Sequence, residues 1–143
     1  MPESRANIVI DTNVLVAALR SDEGSAHRLI MLVGDGAFDI SLSVPLALEY
    51  EEVCKRPEHQ LSWTVQDIDD VLDYLFSLAR WTPIHFKWPV LPDADDNLIL
   101  ELAIAAQCDC IVTFNVRDFA GSDQFGVKIY TPFEFLSSFQ KQR

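Results

Sequence analysis

The fold is decided by the stretch Ile8-Val9-Ile10-Asp11-Thr12-Asn13-Val14-Leu15, in which two apolar runs flank three short polar residues. The segment from Asn7 to Ile10 predicts a short strand. The segment from Val14 to Leu19 predicts a helix, and the polar residues between them are suited to turning the chain. A strand that leads directly into a helix places the Asp11 carboxylate at the carboxyl end of that strand.

Strands and helices alternate along the rest of the chain. Further strands are predicted at Phe38–Leu42, Thr82–Phe86, Cys110–Thr113 and Val127–Tyr130. Further helices are predicted over Ser25–Val33, after N-caps at Ser43 and Thr64, over Leu98–Ala106, and after an N-cap at Thr131. This alternating order implies an α/β fold, with a parallel sheet covered by helices on both faces.

Length and composition suit one globular domain over residues 1–143, since 49% of the residues are apolar. No apolar run approaches the roughly 18 residues of a membrane span, and the first residues lack a signal peptide. We therefore expect a cytoplasmic protein with no membrane contact. The three cysteines, Cys54, Cys108 and Cys110, lack a reliable zinc-ligand spacing and are predicted to be small core residues.

The net charge of −11 argues against a passive nucleic-acid binder, which normally carries a basic face. Two interpretations remain open. An acidic surface can meet a basic partner. Alternatively, some of the 22 acidic residues converge on divalent cations, which reverse the sign of the local charge.

The positions of the acids favour a site at one edge of the sheet. Asp11 follows the first strand, while Thr113, Asn115 and Asp118 follow the strand formed by Ile111 and Val112. Ligands of open α/β sheets bind outside the carboxyl ends of the strands. The alternatives are that Asp11 caps the next helix and that the second group only forms a turn.

Two further groups of acids are ambiguous from the sequence alone. The run Asp93-Ala94-Asp95-Asp96-Asn97 holds three acids in four residues, which is more than one helix cap needs, and Asp95 or Asp96 is the predicted start of the next helix. Glu49, Glu51 and Glu52 lie on one predicted helix, where spacing does not select a functional glutamate. Both groups are also compatible with solvated surface.

Taken together, these segments resemble the PIN-domain ribonucleases, and more narrowly the bacterial branch that supplies the toxins of type II toxin–antitoxin modules. The resemblance is carried by four segments in order: Ile8 to Leu15, Ser43 with Glu49, Asp93 to Asp96 before an Ala-rich helix, and Ile111 to Asn115 with Asp118-Phe119. It implies a three-layer α/β/α sandwich with a central parallel sheet of about five strands. It also implies Mg²⁺ or Mn²⁺ as cofactor, single-stranded RNA as substrate and an antitoxin protein as partner.

Carried over residue by residue, the resemblance makes Asp11 the first acid of the site, Glu49 the second and Asp96 the third. At the fourth position many family members have Asp, whereas this chain has Asn115, which can ligate through its carbonyl oxygen without adding charge. Asp118 is then expected to supply the missing carboxylate as a metal ligand. Thr113 or Asn115 is expected to orient the attacking water.

Two other functions stay open at this point. Because Asn115 removes one acid, a catalytically weak or inactive PIN module that only engages a partner protein is the main alternative. A flavodoxin-like phosphatase or phosphotransfer domain fits less well, since Lys128 lies inside the last predicted strand. The loop from Lys87 to Pro92, with Trp88, is a candidate for base stacking or homodimer contact, although packing over the core edge is preferred.

Overall fold

The computed structural model describes residues 5–56, 63–84, 91 and 93–141, with side chains described as far as Ser138. The strands are β1 Ala6–Ile10, β2 Phe38–Leu42, β3 Arg80–Trp81, β4 Cys110–Val112 and β5 Lys128–Tyr130. The helices are α1 Thr12–Arg20, α2 Ser25–Met31, α3 Val44–Cys54, α4 Val65–Leu78, α5 Ala94–Ala105 and α6 Pro132–Lys141. Two short 3-10 helices, Val116–Phe119 and Ser122–Phe125, join β4 to β5.

All five strands are parallel and lie in the order β3-β2-β1-β4-β5. This sheet confirms the predicted α/β/α fold class. Helix α1 packs against α2 and α3, α3 packs against α4, and α2 packs against α6, whereas α5 packs against β1, β2 and β4. The strand order reverses between β1 and β4, because β2 and β3 lie on one side of β1, and β4 and β5 lie on the other. The carboxyl ends of these two strands therefore form the crevice in which such sheets bind ligands.

The two central strands are buried on both faces, as expected for a parallel sheet covered by helices. Ile8 and Val9 of β1, and Ile111 and Val112 of β4, have no exposed surface. The register pairs Ile8 with Cys110 and Ile10 with Val112, so both strands end at the same level. This alignment brings the residues that follow the two strands side by side.

The third strand differs from its prediction. The sequence predicts it at Thr82–Phe86, but the strand that pairs with Ser41 and Leu42 of β2 lies at Arg80–Trp81. Residues 82–84 are not in a strand, and residues 85 and 86 lie outside the described residues. Helix α4 ends at Leu78, so the chain joins the sheet edge almost at once. The apolar pattern after Thr82 suggested a strand, but pairing with β2 determines where the strand lies.

The start of α5 also differs from its prediction. Asp93, rather than Asp95 or Asp96, is the N-cap, because its carboxylate accepts hydrogen bonds from the backbone N–H groups of Asp95 at 2.8 Å and Asp96 at 3.4 Å. The caps at Ser43, Thr64 and Thr131 lie where the sequence predicts them. The run of three acids is thereby divided into one capping residue and two residues in the first turn.

Three further expectations concern the cysteines, a membrane span and the loop Lys87–Pro92. Cys54, Cys108 and Cys110 are free and buried, as predicted. Within the ranges described above, no helix is long and apolar enough to cross a bilayer. Of the loop Lys87–Pro92, including Trp88, only the buried Leu91 lies among the described residues. The interpretations of that loop therefore stay predictions.

Tyr50 holds the end of β1 against α3. The pairing between β1 and β2 runs as far as Ile8 and Ile40, two residues before β1 ends. Beyond this point, the buried Tyr50 hydroxyl donates a hydrogen bond to the carbonyl oxygen of Ile10. This contact links the helix that carries Glu49 to the strand end that precedes Asp11.

We expect Tyr50→Phe to lower the free energy of unfolding by about 1–3 kcal/mol, because the buried carbonyl of Ile10 loses a donor. Urea denaturation measures this change. Tyr74→Phe is the matched control: Tyr74 is 56% exposed, so its change should stay within about 0.5 kcal/mol. An equal loss in both variants would contradict the role given to the Tyr50 hydroxyl.

Candidate active site

Asp11 follows β1 at the carboxyl edge of the sheet and is buried, with 8% of its surface exposed. It occupies the N-cap position of α1, yet its side chain makes no capping hydrogen bond. Instead, the Thr113 hydroxyl donates to its Oδ2 at 2.7 Å. Its backbone N–H donates to the carbonyl of Val112 at 2.9 Å. The carboxylate is therefore oriented by the end of β4, while the backbone N–H groups of Thr12 and Asn13 favour its charged form.

Thr113 connects the polar residues that follow the two strands. It is fully buried, and its Oγ1 accepts a hydrogen bond from the backbone N–H of Asn115 at 3.0 Å. The side-chain amide of Asn13 lies 3.5 Å from the same oxygen. Asn13 Oδ1 in turn accepts the backbone N–H of Phe114 at 3.4 Å. The turns after β1 and β4 are thus linked by side chains as well as by the sheet.

Glu49 is the glutamate of α3 that lines the same cleft as Asp11. The Thr12 hydroxyl donates a hydrogen bond to Glu49 Oε2, which ties this half-buried side chain to the start of α1. Glu52 forms an ion pair with Arg56 at 2.9 Å on the surface. Helical spacing did not distinguish these glutamates, but their surroundings do.

Two acids of α5 line the cleft, of which only one was assigned to the site from the sequence. Asp96, which the family resemblance makes the third acid, lines the cleft. Asp95 lines it too, although it was not assigned to the site, and its charge acts on Glu49. The signal for Asp95 is the cap at Asp93, which puts both following acids in the first turn of the helix.

One open cleft of about 470 Å³ brings these residues together. It is lined by Asp11, Thr12, Asn13, Val16, Ala17, Arg20, Glu49, Val53, Asp95, Asp96, Phe114 and Asn115. Four carboxylates thus face one space. Thr113 is buried and is not among the lining residues. Asp118 is exposed in the 3-10 helix and is not part of the lining, but its charge still reaches Asp11 and Asp96.

Burial and mutual repulsion raise the pKa values of the clustered acids. For Asp11, burial raises the pKa, although the Thr113 hydroxyl and nearby backbone N–H groups favour the charged form. Burial, followed by the charges of Asp95 and Asp11, raises the pKa of Glu49 to about 6. Burial, followed by the charges of Asp93 and Asp11, raises the pKa of Asp96 to about 6. Near neutral pH the four carboxylates of the lining carry more negative charge than Arg20, which lines the same cleft, can balance.

The donor set suits a hard divalent cation, because carboxylate and amide oxygens are the ligands that Mg²⁺ and Mn²⁺ prefer. Across the described residues, no three His, Cys, Asp or Glu side chains are already arranged to hold an ion. In this arrangement an ion would be held partly through water, or after the carboxylates rotate towards one another. The positive charge of the ion favours that movement, since it removes the repulsion among them.

A sequence model of the PIN domain matches residues 7–117. The chain belongs to the PIN domain family. The match includes Asp11, Glu49, Asp96 and Asn115, and it ends one residue before Asp118. No curated protein matches the chain significantly.

Among solved structures, this PIN domain resembles a chain in the crystal structure of VapBC2 from Rickettsia felis bound to a DNA fragment from its promoter. The TM-score is 0.60, and the alignment covers 87% of this chain and 98% of the other. The sequence identity is 17%, so this likeness concerns the fold alone.

The raised pKa values of Glu49 and Asp96 predict how stability changes with pH in the absence of metal. Unfolded Glu and Asp titrate near 4.5 and 3.8, so the folded chain binds these protons more tightly. The contribution of the two groups to the free energy of unfolding therefore falls as the pH rises from about 4 to about 7. Urea denaturation in a chelator, at several pH values, measures this.

The Glu49→Gln/Asp96→Asn double variant is the comparison for this measurement. Amides do not titrate, so the stability gained over the parent protein should grow as the pH rises through the same range. If the stability difference between the two proteins is independent of pH, the raised pKa values are wrong.

Proposed function

We propose that this PIN domain is a metal-dependent endoribonuclease that cleaves single-stranded RNA in the cytoplasm, as the toxin of a toxin–antitoxin pair. The observation that supports this function best is the convergence of Asp11, Glu49, Asp95 and Asp96 on one cleft at the carboxyl edge of the sheet. So many acids in one place serve no purpose in packing. They become compatible with one another, and with a phosphodiester, when a divalent cation lies among them.

In this proposal Asp11, Glu49 and Asp96 hold Mg²⁺ or Mn²⁺ directly or through water. Asp118 supplies additional negative charge from beyond the cleft and is the fourth proposed ligand. The bound ion supplies positive charge at a phosphate oxygen and lowers the pKa of a bound water. The chain itself contributes a fixed set of oxygen ligands and a crevice open to a linear substrate.

The hydrogen bonds around the acids position them for this role. Thr113 orients the Asp11 carboxylate, and Thr12 orients Glu49. The expected orientation of the attacking water fits Asn115, which lines the cleft and whose backbone is fixed by the Thr113 hydroxyl, better than Thr113, which is buried and donates to Asp11. Because the four carboxylates of the cleft repel RNA, RNA binding should depend on prior occupation by the metal.

The proposed antitoxin partner is supported by three observations. The sequence resembles the toxins of type II modules, and the similar structure from Rickettsia felis is that of a complex, VapBC2. A net charge of −11 also suits a basic partner segment. A homodimer is a further proposal, which measurement of the mass in solution would test directly.

A second candidate function is supported by Asn115, which replaces a carboxylate at the cleft with a neutral amide. With one charge fewer, the fold can serve as a partner-binding module with little catalysis. The two functions differ in their metal requirement. A PIN module that binds its partner but neither binds Mn²⁺ nor cleaves RNA would support the second function over the first.

The cleavage assay uses an unstructured RNA with Mn²⁺ and compares the parent protein with Asp11→Asn. We expect kcat/KM to fall at least about 100-fold, because a catalytic ion supplies several kcal/mol of transition-state stabilisation. Asp73→Asn is the matched control, since it makes the same chemical change on the exposed face of α4. It should leave cleavage unchanged. Equal activity in the parent and Asp11→Asn would exclude the assignment of Asp11.

A further inference from the structure

The cleft has an apolar wall that metal binding does not explain. Val16, Ala17, Val53 and Phe114 line it together with the four acids. A site that only held an ion and a phosphate would require oxygen ligands and water. Phe114 is the large member of this wall, and 48% of its surface is exposed. A half-exposed aromatic ring in a cleft gains free energy when a ligand covers it.

The backbone of Phe114 is held close to the first acid of the site. Its neighbour Thr113 is fully buried and bonded to Asp11 at 2.7 Å. Its own N–H donates to Asn13 Oδ1 at 3.4 Å. The backbone of Phe114 therefore belongs to the same hydrogen-bonded unit as the first acid of the site. Phe114 and Asp11 line one cleft.

We propose that Phe114 is a stacking platform for one nucleobase of the RNA, next to the phosphate that is cleaved. This inference rests on the proposed ribonuclease function and names the subsite that holds the substrate. Single strands expose the faces of their bases, whereas duplex bases are already stacked, so the platform favours unpaired RNA. Arg20 lines the same cleft, and its positive charge favours a neighbouring phosphate of the strand.

Affinity for a short unstructured RNA tests the platform. Binding is followed by fluorescence anisotropy with Ca²⁺, which takes the same oxygen ligands, and cleavage is followed with Mn²⁺. Phe114→Ala should weaken binding by about 5- to 150-fold, the range for the loss of one stacked base. It should raise KM by a similar factor with little change in kcat. Phe114→Trp should restore both the RNA affinity and the KM of the parent protein.

Two controls separate stacking from a general effect on the protein. Phe125→Ala removes a ring of similar exposure, 42%, from a second cleft at the opposite edge of the sheet, and should change nothing. The affinity of Phe114→Ala for Mn²⁺ should equal that of the parent protein. Placing one abasic nucleotide at successive positions of the RNA should weaken binding to the parent at one position, but not to Phe114→Ala.

The outcomes also separate this inference from the proposed function. If the parent binds RNA through Phe114 but does not cleave it, the ribonuclease function fails and the platform stands. If the parent cleaves RNA and Phe114→Ala binds it equally well, the platform is wrong and the function stands. If Phe114→Ala changes only the oligomeric mass, the ring belongs to an interface between copies, which also overturns the platform.

Discussion

The hydrogen bond from the Thr113 hydroxyl to Asp11, 2.7 Å long, is the contact on which the rest of the site depends. It spans the carboxyl ends of β1 and β4, at the point where the strand order reverses. Parallel pairing puts these two ends at the same level. The hydrogen bond then fixes the orientation of the Asp11 carboxylate. Asn115 and Phe114 are then placed by their own hydrogen bonds to the same unit.

The clustered acids of the cleft lower the free energy of unfolding at neutral pH. The same clustering favours the binding of protons or cations. Burial and repulsion raise the pKa values of Asp11, Glu49 and Asp96, so the folded chain holds these charges at a cost in free energy. Protons relieve the cost at low pH, and in the proposed function a divalent cation relieves it at neutral pH. Because Asn115 stands where many PIN domains have Asp, the site carries one negative charge fewer. The remaining acids, including Asp95, still outnumber the cations that line the cleft.

Much of this arrangement was predictable from the sequence because strand ends are easy to locate. Asp11 and Thr113 each follow a short apolar strand, which fixes their place at one sheet edge. The choice of Glu49 required the family resemblance, since helical periodicity treats Glu49 and Glu52 alike. Asp95 was missed because three acids in four residues can cap a helix in more than one way. The position of β3 depended on pairing with β2, which no local pattern encodes.

The central claim is that the clustered acids form a metal site, and titration of Mn²⁺ by calorimetry at neutral pH tests it most directly. Binding should saturate in the parent protein and in the control Asp73→Asn. In Asp96→Asn the affinity should fall by at least about tenfold, the loss expected even for residues that only support a ligand. No binding in the parent, or equal binding in Asp96→Asn, would contradict the account and favour a PIN module that acts only by engaging a partner.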